Sequence, residues 1–92
     1  MEITDVRLSL RHEEKLKAYA TITFDQCFVV RGIRVIHGAK GLFVAMPSRR
    51  KTDGSFQDIA HPIHQTMRDR VAERILLAYE VALEEEAARS ST

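Results

Sequence analysis

Residues 41–62, GLFVAMPSRRKTDGSFQDIAHP, connect the parts of this chain whose order decides its fold. The apolar run 42–46 predicts a β-strand, and Pro47 ends it because proline has no amide hydrogen for the sheet ladder. Three consecutive cations follow at a predicted turn, and Asp53-Gly54 is a further turn signal. Residues 56–60 are either a short fifth strand or an ordered return segment. They lead into the only segment with a clear helical pattern.

The residues before this stretch alternate between apolar and polar, as half-buried strands do. One such run covers residues 6–10 and a second covers residues 16–24, with Asp25-Gln26 after it as a tight antiparallel hairpin. The third run, residues 27–36, is apolar on both faces. It predicts a strand covered on one side by the helix and on the other by a partner chain, with Cys27 in its core. Gly32 in mid-strand indicates either a bulge or a close backbone approach.

The C-terminal third predicts one long helix that begins near Pro62 or at Thr66, where Thr66 and Asp69 resemble a capping box. Its apolar positions leave only a narrow acidic strip, which is more apolar surface than a small sheet covers, and we therefore expect a C2 homodimer. The apolar positions are Met67, Val71, Ala72, Ile75, Leu76, Leu77, Ala78, Tyr79, Val81, Ala82 and Leu83.

The predicted fold class is α+β, with a small antiparallel β-sheet of four to five strands and one long C-terminal α-helix. Glutamates 84–86 lie at the end of the helix, where the macrodipole disfavours anions. We therefore predict a single domain over residues 1–86 and a disordered tail over residues 87–92.

Composition limits the function classes. The chain has 92 residues and a net charge of +1, so its overall field is not that of a dedicated nucleic-acid-binding protein. Residues 1–62 carry 10 Lys and Arg against 7 Asp and Glu, whereas residues 63–92 carry 4 against 6, so any basic surface is local. The sequence has no apolar run of membrane-spanning length, no signal-peptide pattern and a single cysteine, which together predict a cytoplasmic protein.

Arg49, Arg50 and Lys51 are the strongest functional candidates. Adjacent cations on a turn can contact successive phosphates, and Ser48 and the backbone amides can add hydrogen bonds. The competing interpretation is a solvated basic loop without a partner. Secondary candidates are the arginines of the third strand and of the helix, although the helix arginines can equally pair with neighbouring acids; they are Arg31, Arg34, Arg68, Arg70 and Arg74.

Aromatic residues that could stack on bases are few. Phe24, Phe28 and Phe43 are assigned to the core, which leaves Tyr19 and Phe56 as possible platforms.

Motifs for catalysis or metal binding are weak. His61 and His64 lack a third ligand at a recognisable spacing, and Asp58 with His61 has no nucleophile motif nearby. We therefore predict no catalytic residues, no metal and no cofactor. Asp58 is expected to cap or to pair with the arginine cluster.

At these motifs the chain resembles the SpoVG family, the stage V sporulation protein G or septation regulator of bacteria. The resemblance rests on ITDVR at residues 3–7, on FVV and IRVIHG in the third strand, and on GLFVAMPSRR and DIAHPI around the basic segment. It implies a small α+β homodimer that binds DNA and RNA and regulates cell division, septum formation and, in spore formers, sporulation. Arg49, Arg50 and Lys51 match the family's basic segment.

Two functional hypotheses follow. The first is a dimeric, non-enzymatic regulator in the bacterial cytoplasm that binds DNA or RNA through residues 49–51. The second is a protein-interaction module of the division machinery that uses the apolar helix or a sheet edge and does not bind nucleic acid directly.

Overall fold

The chain folds as an antiparallel sheet with one helix packed on it and a small two-stranded ribbon beyond the sheet. The computed structural model describes residues 1–90, with the backbone only for Ser90. In chain order the elements are β1 (Ile3–Leu10), β2 (Leu16–Phe24), β3 (Phe28–Gly38), β4 (Gly41–Ala45), β5 (Ser48–Arg50), β6 (Phe56–Asp58) and α1 (Gln65–Ser90). This arrangement confirms the predicted α+β fold.

The four longer strands form a meander. Their order in the sheet is β1-β2-β3-β4, and every neighbouring pair is antiparallel. β2 occupies its predicted range, because its alternating pattern places Ala18, Ala20, Ile22 and Phe24 in the core. The sheet leaves β1 at one edge and β4 at the other, so the segment that follows β4 emerges at the edge opposite β1.

The predicted tight turn between β2 and β3 is confirmed, although it contains no glycine. Asp25 and Gln26 adopt φ values of 50° and 56°, and the amide of Cys27 donates to the carbonyl of Phe24 at 3.0 Å. Two central residues with positive φ are typical of a type I′ turn, whose twist matches that of the flanking strands. Because the turn extends through Cys27, that thiol is exposed, and its predicted place in the strand core is wrong.

Of the two alternatives for Gly32, the register of β2 and β3 shows the bulge. Ile22 pairs with Val30 and Ala20 pairs with Ile33, so β3 carries one extra residue between these pairs. Gly32 sits in that interval with a φ of +78°. The bulge shifts the alternation so that Ile33 faces the core while Arg34, the next residue, lies on the other face.

Helix α1 covers one face of the sheet, and the core between them is apolar. Its largest fully buried side chains are Ile22, Ile33 and Val35 from the sheet and Val71 and Ile75 from the helix. Among residues 1–89, no polar or charged side chain is buried. Within residues 1–90, no helix covers the other face of the sheet. The expectation that both faces of β3 are covered is therefore not met within one chain.

The ends of α1 differ from the sequence-based prediction. The helix begins at Gln65, between the two predicted starts, and the carbonyl of His64 accepts the amide of Arg68 at 3.0 Å. At the other end the helix continues to Ser90, four residues past the predicted domain boundary at Glu86, whose carboxylate lies 3.0 Å from Nε2 of His12. Residues 91–92 of the predicted tail lie outside the described residues.

Candidate nucleic-acid interface

The three predicted phosphate-binding cations lie on a hairpin formed by residues 48–58, which we call the basic hairpin. Ser48 pairs with Asp58, Arg49 with Gln57, and Arg50 with Phe56. The sequence places these cations on a turn, and the structure corrects this, because Ser48–Arg50 forms strand β5. Pairing with β6 decides the conformation of these residues, because it joins residues six to ten positions apart that no local pattern connects.

The tip of the basic hairpin is held by its own polar groups. The Lys51 amide donates to the Ser55 carbonyl at 2.7 Å, and Gly54, with a φ of +89°, donates to the Lys51 carbonyl at 3.1 Å. The Asp53 carboxylate accepts the Ser55 hydroxyl at 2.6 Å and the Ser55 amide at 2.9 Å. The Ser55 hydroxyl, followed by its amide, lowers the pKa of Asp53 below its ordinary value of 3.8.

The cations of the basic hairpin are available to an anionic ligand. Arg49, Arg50 and Lys51 are all exposed, and none makes an ion pair with the residues that the structure describes. Together with Thr52 and Gln57 they line a shallow hollow that has no carboxylate in its wall. Arg49 and Arg50 are successive residues of β5, and Lys51 follows directly after the strand, so the three cations surround the hollow from adjacent backbone positions. This arrangement suits phosphate groups, because each guanidinium or ammonium keeps its donors free.

Two secondary candidates lie beside the basic hairpin. Arg34 is half-buried, and its Nη2 donates to the Ser48 hydroxyl at 3.2 Å. Arg68 donates to the Pro62 carbonyl at 3.1 Å, which ties the start of α1 to the loop before it, and it lines the same hollow as Arg34 and Ser48. Asp58 shares this hollow but makes no ion pair with the described arginines.

The remaining secondary candidates are not gathered with the basic hairpin. Arg74 lines a groove between β1 and α1, at the sheet edge away from the hairpin. Arg70 is two residues from Arg68, and at about 100° per residue it lies on the face of α1 that carries Arg74. Arg31 is exposed in the bulge of β3 and makes no hydrogen bond or ion pair with the described residues.

Two aromatic residues that the sequence assigned to the core are instead exposed, and only Phe43 of the two lies beside the basic hairpin. Phe43 is 48% exposed and Phe28 is 60% exposed, and Phe43 lines the hollow that contains Arg34 and Phe56. The run 42–46 is apolar throughout, so it carries no alternation that would show which residues face the helix. Tyr19, predicted as a platform, is exposed and has the Arg11 guanidinium 5.4 Å from its ring centroid.

The two histidines before α1 are not gathered into a metal centre. Nδ1 of His61 lies 3.1 Å from the Pro62 carbonyl oxygen and 3.4 Å from Nη2 of Arg68. Over residues 1–90, no three His, Cys, Asp or Glu side chains lie close enough together to hold an ion. Within the same residues, no helix combines the length and the apolar character needed to cross a membrane.

Comparison with known proteins gives a consistent result along the chain. The family model for SpoVG matches residues 1–81. A protein of Anaeromyxobacter sp. strain Fw109-5 is 54% identical over 92 residues, covering 100% of this chain and 95% of the relative. One of Thermoanaerobacter pseudethanolicus is 55% identical over 89 residues, covering 96% and 97%. One of Myxococcus xanthus is 52% identical over 80 residues, covering 87% and 81%. Each of these relatives is named "Putative septation protein SpoVG".

Proposed function

The chain belongs to the SpoVG family, and from this premise we propose that it is a non-enzymatic regulator of septation and cell division that acts by binding DNA or RNA. In a spore-forming organism the same activity would serve sporulation. Binding would occur in the bacterial cytoplasm and would involve no covalent step, since occupancy of a nucleic acid is sufficient to regulate it.

The observation that carries this proposal is the basic hairpin. Three adjacent cations stand on a two-stranded ribbon, exposed and without ion pairs among the described residues. Elsewhere in the described chain, Arg7 forms an ion pair with Asp5, and Nε2 of His12 lies 3.0 Å from the Glu86 carboxylate. Cations without acidic partners bind phosphates with the release of condensed counterions, which favours binding at low salt.

A homodimer is part of the proposal. The accessible surface of the chain is 6806 Å², whereas a compact monomer of this mass exposes roughly 5400 Å². The surplus exceeds the roughly 800 Å² per partner of a standard interface. Leu77 and Val81 are 55% and 45% exposed beside the edge strand β1, so a second copy packed there would bury apolar surface and pair an open strand edge. Two copies would also present two basic hairpins.

The same exposed surface favours a second candidate function. Leu77, Val81 and the edge of β1 could instead receive another protein of the division machinery, and the basic hairpin would then have no ligand. This candidate requires no direct contact with nucleic acid.

A binding titration separates the two candidates. The full chain is titrated into labelled single-stranded DNA, duplex DNA and RNA at about 50 mM and about 200 mM salt, the interval over which phosphate contacts lose most of their affinity. Saturable binding that weakens at the higher salt supports the regulator. Absence of binding to all three nucleic acids at the lower salt overturns it and favours the protein-interaction module.

A further inference from the structure

Two exposed aromatic rings stand next to the basic hairpin. Phe43 on β4 is 48% exposed and Phe56 on β6 is 68% exposed, and both line one hollow with Arg34 and Ser48. Ser48 is also the first residue of the basic hairpin. The hollow is therefore continuous with the surface that carries the proposed phosphate-binding cations.

The ring of Phe43 packs closely against Gly38 of β3. A β-carbon at residue 38 would lie 2.9 Å from Cε1 of Phe43 and 3.3 Å from Cδ1. The ring therefore occupies the space that a side chain would fill, although Phe43 lies on an edge strand. Glycine at this point lets the ring rest against the strand instead of being displaced from it.

Of the two arginines that line the hollow, Arg34 is held in place by a hydrogen bond. Nη2 of Arg34 donates to the Ser48 hydroxyl at 3.2 Å, and the side chain is only half-exposed. Its remaining donors make no ion pair with the described residues. A fixed guanidinium beside two rings can stack on a planar ring or donate to a phosphate or a base edge.

Unstacked nucleobases have the chemistry that this hollow accepts. A base presents two apolar ring faces and a polar edge, and stacking on one aromatic side chain raises affinity about 5- to 150-fold. Bases of a duplex are paired and stacked inside the helix, and they enter such a site only after being flipped out at a cost in free energy.

We propose that Phe43, Phe56 and Arg34 form a subsite for one unstacked base, so that the chain selects single-stranded nucleic acid over duplex. This inference rests on the proposed nucleic-acid-binding function. The backbone of the single strand follows the basic hairpin, and one base enters the hollow beside Ser48.

The test uses the variant Phe43→Leu/Phe56→Leu, which keeps apolar side chains but removes both aromatic faces. Phe28→Leu is the matched control, because Phe28 is 60% exposed and lines a different hollow. Fluorescence anisotropy gives the affinity of each protein for a single-stranded oligonucleotide, for the duplex of the same sequence and for an abasic strand of the same length. Circular dichroism and urea denaturation establish that each variant is folded.

The double variant is expected to bind the single strand at least 5-fold more weakly than wild type, with little change for the duplex and the abasic strand. Phe28→Leu is expected to bind like wild type. Gly38→Ala, which displaces the Phe43 ring without removing it, is expected to weaken single-strand binding selectively.

The failures of the two proposals are distinguishable. If wild type binds nucleic acid and the folded double variant binds the single strand with equal affinity, the base subsite is wrong and the proposed function stands. If the double variant loses affinity equally for the single strand, the duplex and the abasic strand, the proposed subsite is also wrong, because the substitutions then weaken binding in general. If wild type binds none of the three, the proposed function fails and the subsite fails with it.

Discussion

The turn between β2 and β3 holds two residues in a backbone conformation that side chains disfavour. Two hydrogen bonds offset the steric cost of the positive φ at Asp25. Its amide donates to the Glu2 carbonyl at 2.8 Å, and its carboxylate accepts the Glu2 amide at 2.8 Å. The Gln26 amide donates to the Thr4 hydroxyl oxygen at 2.9 Å, but the Gln26 side chain makes no hydrogen bond with the described residues. Gln26 therefore retains most of the steric cost of its positive φ.

Replacing Gln26 by glycine is expected to stabilise the protein. Glycine removes the clash at a φ of 56°, and the gain, reduced by glycine's greater freedom in the unfolded chain, is up to about 1 kcal/mol. Gln26→Ala is the control, because it keeps a β-carbon and is expected to stay within about 0.5 kcal/mol of wild type. Urea denaturation measures both variants. A glycine variant less stable than the alanine variant would contradict this explanation.

The tip of the basic hairpin is expected to be insensitive to pH near neutrality. The folded pKa of Asp53 lies below its ordinary value of 3.8. The ionised carboxylate therefore favours the folded turn above that value, and the contribution is lost as pH falls through the folded pKa.

Ser55→Ala removes the hydroxyl that contributes most to the low pKa of Asp53, so that pKa is expected to rise towards 3.8. A carbon-detected NMR titration of the Asp53 carboxyl group in both proteins measures the change. Identical pKa values in wild type and variant would show that the Ser55 hydroxyl has no part in it.

The conformation of β3 depends on a single residue, Gly32, at its bulge. Gly32 provides the positive φ of the bulge, and a β-carbon there would lie 3.6 Å from the β-carbon of Pro47, which is an ordinary contact. A side chain at residue 32 therefore costs free energy through the strained backbone conformation and not through a clash with Pro47. Gly32→Ala is expected to lower the free energy of unfolding by about 1–2 kcal/mol. Gly32→Asn is expected to lower the free energy of unfolding by less, because asparagine tolerates the left-handed backbone conformation.

Urea midpoints with unchanged m-values test this expectation. Equal stability of the alanine variant and wild type would mean that the strand reorganises to remove the bulge.

The elements also show which parts of the fold the sequence could predict. The predicted bounds of β2 match the structure, because its apolar and polar residues alternate regularly. The glycine inside the apolar run of β3 indicated the bulge as one of two alternatives. β5 was not predicted as a strand, since Ser48, Arg49 and Arg50 carry no alternating pattern and their conformation comes from pairing with β6.

For the candidate site, the sequence identified the cations but not their surroundings. The sequence placed Phe43 in the core, because a continuous apolar run does not show which of its residues face the helix. It also grouped the three helix arginines, which the fold separates. The link between Arg34 and Ser48 depends on the bulge and on the sheet edge where the basic hairpin emerges, which no local pattern contains.

At the scale of the molecule, the chain is more extended than its length requires. Its radius of gyration is 14.1 Å, whereas a compact domain of this length has about 12 Å. The long helix and the ribbon leave apolar and charged surface exposed among residues 1–89. The proposed dimer follows from this shape.

Leu77→Glu is expected to shift the proposed dimer towards monomer, because it introduces a charge into the apolar surface beside β1. Leu83→Glu is the matched control, since Leu83 is also exposed but lies on the opposite flank of α1. Sedimentation equilibrium over a range of concentrations measures the association. A monomeric wild type, or equal dissociation by both variants, would contradict the placement of the interface.

The central claim is that the basic hairpin holds phosphates. The most direct measurement compares wild type with Arg49→Ala/Arg50→Ala/Lys51→Ala, plotting the logarithm of single-strand affinity against the logarithm of salt concentration. Each phosphate contact contributes about 0.7 to the slope for a single strand, so the folded triple variant is expected to bind more weakly, with a slope smaller in magnitude by up to about 2. Unchanged affinity and slope in the folded variant would contradict the claim.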